Sequence, residues 1–169
     1  MRIKILSATK QGVLFLVLLA AIGTAADWLR APKLPVQAAS APLALLSGEK
    51  TTLAQASAGR TAAVYVWGSW CGICRHTSPA IQKLHENGIP VYSIALRSGS
   101  DDEVRQYLHK NGYTFPAAND ERGALSQQWG IKVTPTIILL KNGKVLHTTT
   151  GLAGYWTLRA RIALADALG

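Results

Sequence analysis

The chain contains little sulfur: among its 169 residues there are two cysteines, Cys71 and Cys74, and one methionine, Met1. Neither cysteine lies near the apolar run at the N-terminus, which excludes a lipoprotein anchor. There is also no second CxxC motif and no histidine pair that would complete a metal site with the two thiols. We therefore expect no metal at the two cysteines. Two thiolates alone can nevertheless hold Cu(I), which leaves a copper-binding protein as an alternative.

Acidic residues are also scarce, with nine Asp and Glu against 18 Lys and Arg and a formal net charge of +9. Five of the basic residues lie at or before Lys33, and those after Leu43 are spread along the chain without a Lys/Arg cluster. Recognition of nucleic acid requires a basic stripe or a reading motif, and neither is present. We expect no nucleic-acid partner.

The longest uncharged run, QGVLFLVLLAAIGTAA, occupies residues 11–26. Basic residues precede it and few follow it, which predicts a cytoplasmic N-terminus and an exported remainder. A spanning helix needs about 20 residues, so the run is short. Two alternatives remain: a membrane anchor over residues 1–30, which we favour, and a signal segment cleaved after the small residues Thr24, Ala25 and Ala26.

Residues 31–42 hold three of the seven prolines and few large apolar side chains. This composition is typical of a flexible, partly extended linker. The remaining residues, 43–169, are enough for one domain of ordinary size.

The two cysteines follow a strand-like apolar stretch, residues 63–67, which breaks at Gly68 and Ser69. Their spacing places both on one face at the first turn of a helix, where they can form a disulfide or a dithiol. A helix N-terminus favours a thiolate, and a CxxC setting lowers a cysteine pKa from about 8.5. We predict that Cys71 is the nucleophile, largely ionised near neutral pH, and that Cys74 is the more buried resolving thiol. A purely structural disulfide is a weaker alternative, since so tight a loop constrains the unfolded chain little.

Periodicity and turn residues predict a central mixed sheet flanked by helices. The predicted elements are a β-hairpin within residues 43–58, a strand over 62–67, a helix from the cysteines to Glu86, a strand over 89–96, a helix over 101–110 capped by Ser100, a strand over 115–118, a helix over 121–129, a hairpin of 136–140 with 145–150, and a last helix over 156–168.

The motif WCGIC after an apolar strand resembles the active site of the thioredoxin superfamily. Pro79 stands five residues after Cys74, where that family kinks its active-site helix, and residues 133–136 (VTPT) resemble its cis-proline loop. The turn at 141–144 and Gly151 match later positions, so that the resemblance covers roughly residues 43–169. The N-terminal hairpin and the extra strand and helix near residues 115–129 are similar to TlpA-like proteins, which are membrane-tethered periplasmic thiol:disulfide oxidoreductases. The nearest resemblance is to the suppressor of copper sensitivity D group, which implies a role in copper tolerance.

The resemblance implies a thiol:disulfide oxidoreductase in which Cys71 and Cys74 form a redox-active disulfide. It also implies a cis bond before Pro135, no cofactor, a monomer, protein thiols and disulfides in the periplasm as substrates, and a transmembrane electron carrier as partner. The positions implied to contact substrate are Trp70, Gly72, Ile73, Thr134 and Pro135.

The chain departs from the family at informative positions. Classical thioredoxins carry a buried acidic residue where this chain has Tyr65. The group that transfers the proton is therefore not identified by the resemblance. The cytochrome c maturation branch has a glutamate where this chain has Thr136, which argues against apocytochrome c as dedicated substrate. Gly72 and Ile73 include no charged group or histidine of the kind that oxidising members carry. We therefore predict a reductase, with thiol oxidase or disulfide isomerase as alternatives.

Overall fold

The computed structural model describes residues 11–168 except residues 16, 19, 20, 24, 26 and 28. Contacts between Cα atoms divide the chain into two units, Met1–Arg30 and Ala31–Gly169. In the first unit the described residues are helical, and apolar side chains such as Phe15 and Leu18 are exposed. The basic residues that predict its orientation lie outside the described residues. Among the residues that the structure describes, no helix has both the length and the apolar character needed to cross a membrane.

In the second unit, the described residues form a mixed sheet of five strands in the order β5-β4-β3-β6-β7, beside a separate antiparallel pair, β1 and β2. β3 is parallel to β4, which is parallel to β5, whereas β6 is antiparallel to both β3 and β7. The strands are β1 Pro42–Ala44, β2 Lys50–Thr52, β3 Ala62–Trp67, β4 Val91–Leu96, β5 Ala117–Asp120, β6 Thr136–Lys141 and β7 Lys144–Thr150.

β3 lies at the centre of this sheet because all six of its residues are apolar and buried. Its alternate side chains face two cores. Tyr65 and Trp67 belong to a cluster that includes Ile81, Leu108 and Leu158, whereas Val64 and Val66 pack with residues from the opposite layer. The helices are α1 Leu53–Ala56, α2 Gly72–Glu86, α3 Asp101–Lys110, α4 Ala124–Gln128 and α5 Tyr155–Leu168. The predicted α/β thioredoxin-like architecture is confirmed.

The N-terminal hairpin is shorter than predicted. Its second strand ends at Thr52, whose hydroxyl oxygen accepts a hydrogen bond from the Gln55 N–H at 3.1 Å. This contact satisfies a free N–H group at the start of α1, so that Leu53–Ala56 is helical where we predicted hairpin.

The insertion between α3 and β6 is present with shifted bounds. Its strand begins at Ala117 and its helix at Ala124, because the Asp120 carboxylate accepts hydrogen bonds from the N–H groups of Leu125 and Ser126 and sets the helix start.

The predicted linker over residues 31–42 is only partly extended. Val36–Ala39 forms a short 3₁₀ helix, and Ala38 is buried in the core that includes Val64 and Trp129. A small apolar side chain can pack there despite the neighbouring prolines. This part of the segment therefore lies on the domain rather than forming a free tether.

Candidate active site

The cysteine pair lies at the junction of β3 and α2. Cys71 is the N-cap residue of the helix, in an extended conformation, and Cys74 lies in its first turn. The two are joined by a disulfide with a Cα–Cα distance of 5.2 Å. Cys71 is 6% exposed and Cys74 is completely buried. The sulfur that a substrate can approach is therefore that of Cys71.

The Sγ atom of Cys71 accepts a hydrogen bond from the Cys74 backbone N–H at 3.2 Å. An N-cap side chain normally satisfies one of the free N–H groups of a helix start, and here the sulfur takes that place. In the reduced protein the same N–H group and the positive end of the helix dipole would stabilise a thiolate at Cys71.

Trp70 presents an exposed apolar surface beside Cys71. The residue is 60% exposed, and its indole Nε1 donates a hydrogen bond to the Leu96 carbonyl at 3.1 Å. A Cβ atom at Gly68 would lie only 2.6 Å from the indole, so glycine leaves room for this orientation. The Ser69 N–H donates to the Ser98 hydroxyl at 3.0 Å and joins the same loop. Trp70 is therefore held in place by the last residue of β4, and the loop that follows β4 holds the neighbouring Ser69.

The proline loop reaches the same end of the sheet. Because Val66 pairs with Thr136, the residues just before Thr136 lie at the end of β3 from which the CxxC motif follows. The Thr134–Pro135 peptide bond is cis. The Gly151 N–H donates to the Pro135 carbonyl at 2.9 Å, which joins the loop to the end of β7. Pro135 is buried and Thr134 is half-buried.

Tyr65 lies behind the disulfide. Its hydroxyl is 2.8 Å from the Ser78 hydroxyl and donates to the Cys74 carbonyl at 3.4 Å. The ring is stacked with Trp67 and meets Phe115 edge to face. Burial raises the pKa of the phenol well above its usual range, although the Ser78 contact acts in the opposite direction. Tyr65 is therefore neutral at physiological pH.

Most residues predicted for the site lie at this end of the sheet, although sequence reasoning missed several contributors. Gly72 and Ile73 are exposed between the two cysteines, with Ile73 at 49%. Sequence reasoning did not find the Leu96 carbonyl or Ser98, because they lie at the end of β4 and in the loop after it, far along the chain from Trp70 and Ser69.

The described residues contain no group of three or more His, Cys, Asp or Glu side chains that could hold a metal ion. The side chains at the CxxC motif are aromatic, aliphatic or hydroxyl-bearing apart from the exposed Arg75 guanidinium, and the atoms that can undergo redox exchange are the two sulfurs. The chemistry that this arrangement offers is thiol–disulfide exchange.

Comparisons with known proteins agree with this geometry. The Redoxin family model matches residues 31–154. A thioredoxin-like protein of Haemophilus influenzae is 40% identical over 166 residues, which is 98% of this chain and 99% of that protein. The thiol:disulfide interchange protein DsbE of Pseudomonas aeruginosa is 26% identical over 106 residues, which is 62% of this chain and 59% of that protein.

Among solved structures, a secreted thiol-disulfide isomerase from Corynebacterium glutamicum superposes with a TM-score of 0.66 at 21% identity. The alignment covers 75% of this chain and 83% of that one, and it supports the fold. Together with the family match and the cysteine pair, these likenesses show that the chain belongs to the Redoxin family and is a thioredoxin-like thiol:disulfide oxidoreductase.

Proposed function

We propose that the protein is a reductase of protein disulfides in the periplasm, with Cys71 as nucleophile and Cys74 as resolving thiol. The observation that carries the proposal is the difference between the two sulfurs. Cys71 lies at the helix N-terminus with a hydrogen bond to its sulfur, beside exposed Trp70 and Ile73, whereas Cys74 is completely buried. Thr134 and Pro135 would contact the substrate from the other side, with Gly72 between the two sulfurs.

The reaction proceeds in two exchanges. The Cys71 thiolate attacks one sulfur of a substrate disulfide, and the other substrate sulfur leaves as a thiolate that takes a proton. The Cys74 sulfur then attacks Cys71 Sγ, gives up its own proton, and releases the second substrate sulfur as a thiol. Two electrons pass from the dithiol to the substrate, and the Cys71–Cys74 disulfide remains.

The direction of electron flow follows from what stabilises the reduced form. Gly72 and Ile73 supply no charge and no ring nitrogen to the Cys71 thiolate. The thiolate, and with it the reduced form, is therefore less stabilised than in a strong oxidant. We expect a reduction potential between that of thioredoxin, about −270 mV, and that of protein disulfide isomerase, about −180 mV.

Titration of the purified chain against glutathione measures this potential. Alkylation of free thiols in intact cells, followed by gel electrophoresis, then gives the resting state of the Cys71–Cys74 pair. We expect mostly dithiol. A pair that is mostly oxidised in cells, with a potential near the roughly −120 mV of strong periplasmic oxidants, would contradict the reductase and leave an oxidase.

The location and partners of the protein form a second part of the proposal. Basic residues before the apolar run at 11–26 support export with an N-terminal segment held at the cytoplasmic membrane. Such a tether would keep Cys71 close to a transmembrane electron carrier and raise their effective concentration. The resemblance to the copper sensitivity group supports a role in copper tolerance, which growth of a deletion strain on copper would test.

A further inference from the structure

The buried side of the disulfide has no carboxylate among the described residues. Asp120 is the acidic side chain buried in the part of the chain that the structure describes, and its two oxygens accept hydrogen bonds from the N–H groups of Leu125 and Ser126. It is therefore engaged at the start of α4 and does not serve Cys74. The position behind Cys74 is taken by the Tyr65 phenol.

The Tyr65 hydroxyl joins two points of the helix turn that bears Cys74. It is 2.8 Å from the Ser78 hydroxyl, and it donates to the Cys74 carbonyl one turn earlier. Pro79 follows at once and has no N–H group to continue the helix ladder. Both hydroxyls are almost fully buried, so neither can exchange its partner for water.

The groups around Tyr65 do not supply a charge to it. On the neighbouring strands, Ser93 of β4 and Ile137 of β6 lie opposite Tyr65, and neither titrates in the physiological range. Two other phenols, those of Tyr107 on α3 and Tyr113 just after it, raise the pKa of Tyr65 electrostatically. Burial raises the pKa of both phenols, and the Ser78 hydroxyl acts in the opposite direction on the pKa of Tyr113.

On α2, Ser78 contacts Tyr65, and the same helix carries Arg75 in the turn of Cys74. The Arg75 guanidinium acts on Tyr107 and favours its ionised form, against the larger effect of burial. Tyr65, Tyr107 and Tyr113 therefore all remain neutral near neutral pH.

We infer that Tyr65 and Ser78 form a neutral hydroxyl pair that positions Cys74 and replaces a proton-accepting carboxylate, so that resolution of the mixed disulfide depends on the ionisation of Cys74 alone. This inference rests on the proposed roles of Cys71 and Cys74. In the resolving step, the Cys74 sulfur attacks Cys71 Sγ while the bond from Cys71 to the substrate sulfur breaks. Cys74 loses its proton, the departing substrate sulfur takes up a proton, and the hydroxyl pair neither accepts nor donates one.

The test follows both exchanges with an aromatic disulfide whose released thiolate absorbs visible light. Mixed with the reduced full chain, this reagent releases one thiolate when Cys71 attacks and a second when Cys74 resolves the mixed disulfide. We measure both rates from about pH 4 to pH 9. In the wild type, the pH profile of the second rate should show a single ionisation, that of Cys74.

Tyr65→Phe should slow the second release by about tenfold, while the first release keeps its rate. The substitution removes the hydrogen bond that positions the turn of Cys74, and the free energy of one hydrogen bond corresponds to a rate change of this size. The profile should keep its shape. Ser78→Ala should give the same selective loss, and the double variant should lose little more than either single variant. Tyr65→Glu places a carboxylate at the same point and should add a second ionisation to the profile.

Tyr107→Phe is the matched control, since it removes a phenol hydroxyl from the same cluster without touching the Tyr65–Ser78 contact. Both of its rates should equal those of the wild type. If Tyr65→Phe does not fold, Ser78→Ala carries the test.

Three outcomes would overturn the inference: a second ionisation in the wild type, an ionisation lost in Tyr65→Phe, or unchanged resolution in both Tyr65→Phe and Ser78→Ala. The wild type failing to release a second thiolate would contradict the roles of the cysteines instead, which separates the two proposals.

Discussion

The backbone N–H of Cys74 donates a hydrogen bond to the Sγ atom of Cys71 across the first turn of α2. The Cys71 sulfur therefore lies where the helix start stabilises negative charge. The Cys74 sulfur belongs to the buried turn whose N–H group is the donor. The proposed division of labour between the two cysteines rests on this arrangement.

The first prediction concerns Arg75, the cation next to the CxxC motif. A methyl group at Gly72 would lie 3.8 Å from the Arg75 Nη2 atom, so the guanidinium is close to the motif but exposed to solvent. Arg75→Gln removes a charge that favours the thiolate and should make the reduction potential more negative. Screening limits the change to about 10 to 20 mV.

The control for Arg75 is Lys83→Gln, at the far end of the same helix, where the ammonium lies over the Tyr155 ring. It should leave the potential unchanged in the same glutathione titration. A potential that rises in Arg75→Gln would contradict the prediction, because it would mean that the guanidinium stabilises the oxidised form.

The second prediction concerns Gly68. Gly68→Ala should push the Trp70 indole from its position and break its hydrogen bond to Leu96, since the new Cβ would meet the ring at 2.6 Å. We expect kcat/KM for the reduction of a protein disulfide such as that of insulin to fall about fivefold, with a small loss of stability. Gly154→Ala is the control, because its Cβ meets no atom within 4 Å. Equal activity of the two variants would show that the orientation of Trp70 does not matter.

The third prediction concerns the link between α5 and the start of β3. One oxygen of Asp166 accepts hydrogen bonds from the Thr61 hydroxyl at 2.6 Å and from the Thr61 N–H at 3.0 Å. The Thr61 hydroxyl is the main reason that the pKa of the Asp166 carboxyl is lowered. Because the folded pKa lies below the unfolded value of about 3.9, the stabilisation is present above that value and disappears as the pH falls through the folded pKa.

Asp166→Ala should therefore lower the free energy of unfolding by about 1 kcal/mol near neutral pH, a modest value for an exposed carboxylate. The difference from the wild type should shrink below about pH 4. Denaturant titrations at several pH values measure it, with Glu121→Ala as an exposed acidic control. A difference that persists in strong acid would mean that lost packing, and not the charged hydrogen bond, is responsible.

The fourth prediction tests the N-terminal segment. A reporter that is active only after export, fused behind Gly169, should be active, and the protein should remain with membranes after washing with carbonate. Release with a new N-terminus near Asp27 would instead show a cleaved signal. A reporter active only in the cytoplasm would contradict export altogether.

Local sequence signals predicted the elements that local interactions determine. Ser100 caps α3 in a full capping box with Glu103, as its position before an acidic first turn indicates. Asn142 and Gly143 both have positive φ, which is what an Asn-Gly hairpin turn requires. The helix that carries the cysteines ends at Glu86, as predicted, where Asn87 and a glycine follow.

Contacts between distant segments could not be predicted in this way. The bond from Trp70 to Leu96 and that from Ser69 to Ser98 join residues more than 25 positions apart, and they depend on where the loop after β4 lies. Ala38 is buried within a Pro-rich stretch because a surface of the sheet needs covering, which composition alone does not reveal. The hydroxyl pair behind the disulfide could be anticipated only in part, through the missing acid at Tyr65.

The most direct measurement of the proposed mechanism is the capture of mixed disulfides in cells by single cysteine variants. Cys74→Ala leaves a nucleophile whose mixed disulfides cannot be resolved, so protein partners should accumulate in covalent complexes that a reducing agent dissolves. Cys71→Ala should capture none, since its remaining sulfur is buried. Complexes formed equally through Cys74 would contradict the assignment of Cys71 as the nucleophile.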